Sequence, residues 1–174
     1  MKFMSARRAI GAAAVAAGVV GLVVTGMGSA NAQSAFTVHL TPNNTFGLLL
    51  DVEGGSLDNG APVITYWANG GSNQQWTFLP IDNAGDYYIK NVNSGKCLTT
   101  DEVPGHNVYQ FTCANAPQQV WSTALNPNLW DTPYTITNPQ SGLKLDVSGD
   151  NALPGAYIDT WYYNGGANQF FAPI

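Results

Sequence analysis

An all-β fold made of three internal repeats is predicted by three features of this chain. A Gln-x-aromatic triplet recurs as Gln74-Gln75-Trp76, Gln119-Val120-Trp121 and Gln169-Phe170-Phe171, at separations of 45 and 50 residues. A second aromatic residue precedes each closing aromatic by ten positions, at Tyr66, Phe111 and Trp161. Short aromatic and β-branched runs alternate with turns rich in Gly, Pro, Asn and Asp, and no amphipathic helical period of useful length interrupts them.

Along each repeat the markers keep their order. A glycine stands four residues ahead of a common position, Gly47 before Asp51, Gly95 before Thr99 and Gly142 before Asp146. Tyr87 to Val92 and Tyr134 to Thr137 read as strands, and 19 Gly and 10 Pro supply the tight turns that short hairpins need. Units of this length are too short to be propeller blades closing a ring, and three are too few for a solenoid. A closed β-trefoil of three pseudo-symmetric, four-stranded repeats, near residues 36–80, 86–125 and 133–174, fits the count.

The N-terminus reads as a secretory signal peptide. Lys2, Arg7 and Arg8 precede an apolar run from Ala9 to Val24, followed by the small-residue stretch ending Ala30-Asn31-Ala32. The division expected is a leader of residues 1–32 and one exported domain over residues 33–174, with no membrane span. After the leader, Lys90, Lys96 and Lys144 stand against 11 acidic residues, three minus eleven or a net charge of −8. That surface repels phosphate backbones and anionic lipid, so no nucleic-acid partner is expected. In an oxidising compartment Cys97 and Cys113 are expected to form a disulfide, the alternative being two free buried thiols.

The Gln-x-Trp triplets, the Leu50-Asp51-Val52 and Leu145-Asp146-Val147 segments, and the Asn69-Gly70-Gly71 and Asn164-Gly165-Gly166 turns resemble the ricin B-type lectin family over essentially all of residues 33–174. The resemblance implies a β-trefoil in which each repeat can hold one shallow sugar site. It also implies a disulfide within a repeat, for which only the middle repeat has both cysteines. Ala68 and Tyr163 occupy the corresponding downstream positions in the other two.

A pyranose presents vicinal hydroxyls around its rim and C–H groups on one face, so a binding site wants a carboxylate, an amide and an aromatic plate. The first repeat offers Asp51, Tyr66, Asn73 and Gln74, and the third offers Asp146, Trp161, Asn168 and Gln169 at identical offsets. Each carboxylate can accept charge-assisted hydrogen bonds from sugar hydroxyls. The reading requires both carboxyl groups to be open beside their rings. By resemblance, Gln74 and Gln169 chiefly brace the loop behind the binding Asp, and the closing aromatic packs in the core. A register slip of one would make Trp67 the plate in place of Tyr66. Trp130 and Tyr134 read as core or repeat-joining residues.

The middle repeat departs from the pattern. Thr99 replaces the Asp, Gln118 replaces the Asn, and three fewer residues separate Thr99 from Gln119. The expectation is a displaced Phe111 and a silent or weakened site, with Asp101 as a minor substitute acceptor.

No catalysis is expected. His39 and His106 sit in no recognisable nucleophile setting, there is no Gly-x-Ser-x-Gly elbow, and Glu53 and Glu102 lie in solvated turns. No metal or cofactor is expected either. The function expected is that of a monomeric, secreted carbohydrate-binding module for galactose-type sugars, xylan or arabinan. The alternatives are a protein-interaction or protease-inhibitor module on the same fold and, more remotely, a secreted hydrolase.

Overall fold

A computed structural model describes residues 33–82, 84–125 and 132–174; the leader at 1–32 and Trp130 lie outside the described residues. The first repeat contributes β1 (Phe36–Val38), β2 (Leu40–Pro42), β3 (Leu48–Val52), β4 (Val63–Trp67) and β5 (Trp76–Pro80). The second contributes β6 (Asp86–Asn91), β7 (Cys97–Thr99), β8 (Tyr109–Phe111) and β9 (Val120–Ser122). In the third are β10 (Lys144–Val147), β11 (Ile158–Trp161) and β12 (Phe171–Pro173).

All pairings between these strands are antiparallel, and they repeat by repeat form the same hairpin: β3 with β4, β7 with β8, β10 with β11. The hairpins are joined by β5 with β6, and the chain closes on itself where β12 pairs with β2. This is a β-trefoil. Its third repeat opens differently from expectation, because Tyr134 and Thr137 make isolated bridges to Phe171, Ser122 and Lys144 instead of a strand. Pro133, with no N–H, cannot extend that ladder.

The threefold pattern of the sequence becomes the core. Trp76, Trp121 and Phe171, the closing aromatics, are fully buried together with Leu50, Leu98 and Leu145 and with Val63, Val108 and Ile158. Each buried indole finds an acceptor: Trp76 Nε1 donates to the Leu50 carbonyl at 3.1 Å and Trp121 Nε1 to the Leu98 carbonyl at 2.9 Å. Phe171 fills the third place without that bond. Truncating either Trp to Ala would cost roughly 3 to 5 kcal/mol.

The hairpin turns interlock in a ring. Gly60 N donates to Gln110 O (2.8 Å), Gly105 N to Thr160 O (2.8 Å), and Gly155 N to Thr65 O (2.6 Å), so each repeat's turn clasps the next repeat. All three glycines hold φ between 81° and 87°, a left-handed conformation costly for a residue with a Cβ. The clasp also brings Gly105 against the ring of Trp161 in the neighbouring repeat.

Candidate functional site

The glutamine of each triplet is a fully enclosed or nearly enclosed brace. Gln74, Gln119 and Gln169 accept from the backbone N–H five residues earlier, at Asn69, Ala114 and Asn164 (3.0, 2.8 and 2.9 Å). Each donates to the carbonyl seven residues earlier, at Trp67, Thr112 and Tyr162 (2.8, 3.0 and 2.9 Å). The buried side chain thus pins the loop between the plate and the triplet. Gln74 and Gln169 are closed off from any ligand and act only through the groups they hold. In the first repeat that includes Asp51, whose Oδ2 accepts from Gln74 Nε2 at 2.7 Å.

Above these braces lie two related grooves. One, of 500 Å³, is lined by Asp51, Glu53, Ile64, Tyr66, Asn73 and Gly155, among others. The second, of 610 Å³, is lined by Asp146, Asp150, Asp159, Trp161, Asn168 and Gly105, among others. Gly155 and Gly105 come from the clasping turns of the neighbouring repeats. The structure therefore brings together Asp51, Tyr66 and Asn73 in one groove and Asp146, Trp161 and Asn168 in the other. Tyr66, and not Trp67, lines the first groove.

Strand register explains the grouping. Asp51 pairs with Ile64 and Leu49 with Tyr66; Asp146 pairs with Asp159 and Lys144 with Trp161. Side chains two residues apart on a strand share a face, so the acid on one strand and the ring on its partner rise from the same side of the hairpin. The rings stand clear of the surface, 44 % exposed at Tyr66 and 43 % at Trp161.

The carboxyl groups lie deeper than the open sites expected from sequence. Asp51 and Asp146 are each only 3 % exposed, and a short 3₁₀ turn follows each strand, at Glu53–Gly55 and Ser148–Asp150. The requirement that both be open beside their rings is not met: they form the floor of each groove instead of its rim, and a ligand reaches them only through the groove that each lines. Burial pushes the Asp51 carboxyl above the usual carboxylate range, against the opposing amides of Gln74 and Asn73. Burial likewise pushes Asp146 up to about 6, with the negative charges of Asp159 and Asp150 adding to the effect. Asn168 Nδ2 donates to Asp146 Oδ1 at 2.8 Å and to the Val147 carbonyl at 3.2 Å, and Asn73 Nδ2 makes the equivalent bond to Val52 at 3.2 Å.

Small residues are required beside these amides. A Cβ on Gly71 or Gly166 would run into the side-chain oxygens of Asn73 and Asn69, or of Asn168 and Asn164. Where the middle repeat has Ala116, it has also lost both asparagines, to Ala114 and Gln118.

In the middle repeat, Thr99 Oγ1 accepts from Gln119 Nε2 at 3.1 Å and donates to the Cys97 carbonyl at 2.9 Å. The hydroxyl preserves the brace without supplying a carboxylate. Phe111 is not displaced, contrary to the sequence expectation: it pairs with Cys97 as Tyr66 pairs with Leu49, and is 43 % exposed. The shorter spacing is absorbed in the β7–β8 connection, where the 3₁₀ turn found in the other repeats is missing. Asp101 is engaged by His106 Nδ1 at 2.7 Å. Cys97 and Cys113 form a disulfide.

Sequence reasoning missed Asp159, Asp150 and the two clasping glycines. Asp159 stands two residues before Trp161 on one strand, a signal that alternation makes readable; the glycines come from other repeats, and their signal was the recurrence of Gly60, Gly105 and Gly155 at the same 45- and 50-residue separations as the triplets.

Comparison with known proteins agrees with this fold. Residues 72–161 match the model of the ricin-type beta-trefoil lectin domain-like family. The ribosome-inactivating protein PMRIPt of Polygonatum multiflorum is 34% identical over 103 residues, 57% of this chain and 15% of that protein. The chain thus spans less than a fifth of the length of the curated relatives it matches. Among solved structures, the designed threefold-symmetric protein ThreeFoil superposes with a TM-score of 0.72 at 32% identity, covering 79% of this chain and 97% of its own. An exo-beta-1,3-galactanase from Clostridium thermocellum superposes with a TM-score of 0.72 at 29% identity, over 79% of this chain and 30% of the enzyme. With its three braced repeats and the match to this family's model, the chain belongs to the ricin-type β-trefoil lectin domain-like family.

Proposed function

We propose that this protein is a secreted, monomeric carbohydrate-binding module that catalyses nothing and holds sugar in two grooves, those of the first and third repeats. The observation that carries this reading is the repetition of one constellation: a floor carboxyl, a half-exposed ring and an amide, in the same register on two hairpins. A sugar's hydroxyls would meet Asp51 or Asp146 and its C–H face would lie on Tyr66 or Trp161, with Asn73 or Asn168 alongside. Galactose-type polysaccharide is the first ligand to consider, since one matched structure is that of a β-1,3-galactanase; xylan and arabinan follow.

Binding is favoured over hydrolysis by the placement of the acids. Asp146 and Asp159 stand side by side on adjacent strands of one floor, whereas glycoside hydrolysis needs two carboxyls flanking the scissile bond. Two shallow sites on one rigid body would reinforce one another on a polymer through effective concentration.

The test is retention on immobilised galactan, xylan and arabinan. Wild-type protein is expected to be held by at least one, with Asp51→Ala and Asp146→Ala each weakening retention. A chain held by none of the three overturns the proposal.

A further inference from the structure

The two grooves are not equivalent. At the register position opposite the floor acid, the first repeat has Ile64 and the third has Asp159. At the end of the 3₁₀ turn the first has Gly55 and the third has Asp150, which holds φ at 54°, a left-handed conformation that glycine adopts freely and Asp adopts at a cost. Asn44 Nδ2 steadies Asp150 through Oδ1 at 3.0 Å. The third groove is thereby lined by three carboxyl groups, the first by Asp51 and Glu53.

Two of those three are short of donors. Asp146 and Asp159 are 3 % and 5 % exposed, and Asp146 Oδ2 and Asp159 Oδ1 are buried without a hydrogen-bond partner. As direct cross-strand partners their Cβ atoms lie about 5 Å apart, a like-charge pairing that is unfavourable unless something between them is positive. Among the described residues no cation serves: Lys144, on β10, has its Nζ on Thr137 Oγ1 at 2.6 Å and over the Tyr163 ring. His106, next to Gly105 in the clasping turn, is paired with Asp101.

We propose that the third-repeat groove selects a sugar carrying a free ammonium group, and that Asp159 is the residue that confers the selection. This rests on the carbohydrate-binding reading above and goes further, to the class of sugar. An ammonium brings a compact positive charge with three N–H donors to a groove floored by the carboxyl groups of Asp146 and Asp159, and the face of Trp161 offers a second cation-attracting surface. A neutral hydroxyl brings one donor and leaves the carboxylates facing each other. The first groove, with Ile64 at this position, has no such pair and takes the neutral sugar.

The experiment is a titration of the wild-type chain with galactosamine, N-acetylgalactosamine and galactose at about pH 7, where the sugar amine is largely charged and Asp146 largely ionised. NMR signals of Trp161 and Tyr66 report the two grooves separately. Galactosamine should bind at Trp161 at least about tenfold tighter than galactose, a preference that Asp159→Asn abolishes and Tyr66 does not share. Ile64→Asp should begin to confer it on the first groove, a gain that no folding defect can imitate. Equal affinity for galactosamine and galactose at Trp161, or an unchanged ratio in Asp159→Asn, overturns this inference while leaving the lectin reading intact. Failure of every sugar at both rings overturns both.

Discussion

Gln74 donates from Nε2 to Oδ2 of Asp51 at 2.7 Å, from inside the core to the floor of the first groove. The same side chain accepts from Asn69 N and donates to Trp67 O, so one residue ties the fold to the site. Gln74→Leu would leave those groups and a buried carboxylate unsatisfied. It should cost about 2 to 4 kcal/mol of stability, read as a fall in the urea midpoint, and should disturb the first groove more than the third.

The elevated Asp146 sets a pH dependence of known sign. Its carboxyl binds a proton more readily in the folded chain than in the unfolded one, where carboxylates titrate near 4. Stability from this group is therefore greatest below pH 4, declines as pH rises from about 4 to about 6, and is flat beyond, for a loss on the order of 1 to 3 kcal/mol. Asp146→Asn, which can still accept from Asn168, should remove that loss. Urea unfolding from pH 4 to 8 should show the variant gaining on wild type across this window, at the expense of sugar binding in the third groove.

Gly166 is required by the site and not by the fold. Alanine there would strike Asn168 and Asn164, yet the middle repeat carries Ala116 at the equivalent place within an intact brace. Gly166→Ala should leave the circular dichroism spectrum and melting temperature within a few degrees of wild type. Sugar-induced shifts at Trp161 should fall at least about fivefold, while those at Tyr66 persist.

The disulfide closes a loop of 16 residues within the middle repeat. Replacing both Cys97 and Cys113 by Ser should lower stability by about 3 kcal/mol in urea unfolding. Sugar binding in the first groove should be unchanged, since no residue of this segment lines it, whereas the third groove takes Gly105 from this loop and should be weakened.

How much of this was legible in the sequence depends on whether a feature recurs. Asp51, Tyr66 and Asn73 could be placed together because Asp146, Trp161 and Asn168 repeat their spacing, and a repeated spacing implies a repeated geometry. Asp159 was hidden by the same method: its counterpart is Ile64, so matching the repeats discards it. Strand alternation, which puts 159 on the face of 161, would have recovered it. Depth was not legible, because spacing sets which residues share a face and not how closely the surrounding chain packs on them. The middle repeat's deletion was legible in part: the constant ten-residue interval from Phe111 to Trp121 confines the missing positions to the stretch between Thr99 and Phe111, and the pairing of Cys97 with Phe111 shows that the turn lost them and the ladder did not.

The most direct test of the two-groove account is calorimetric titration of the wild type and of Asp51→Ala, Asp146→Ala and the double variant with a short oligosaccharide of the retained polysaccharide. For this neutral ligand a stronger first-groove site and a weaker third-groove site are expected in the wild type, only the weaker in Asp51→Ala, only the stronger in Asp146→Ala and neither in the double variant, all four proteins being folded. Undiminished binding by the double variant would contradict it.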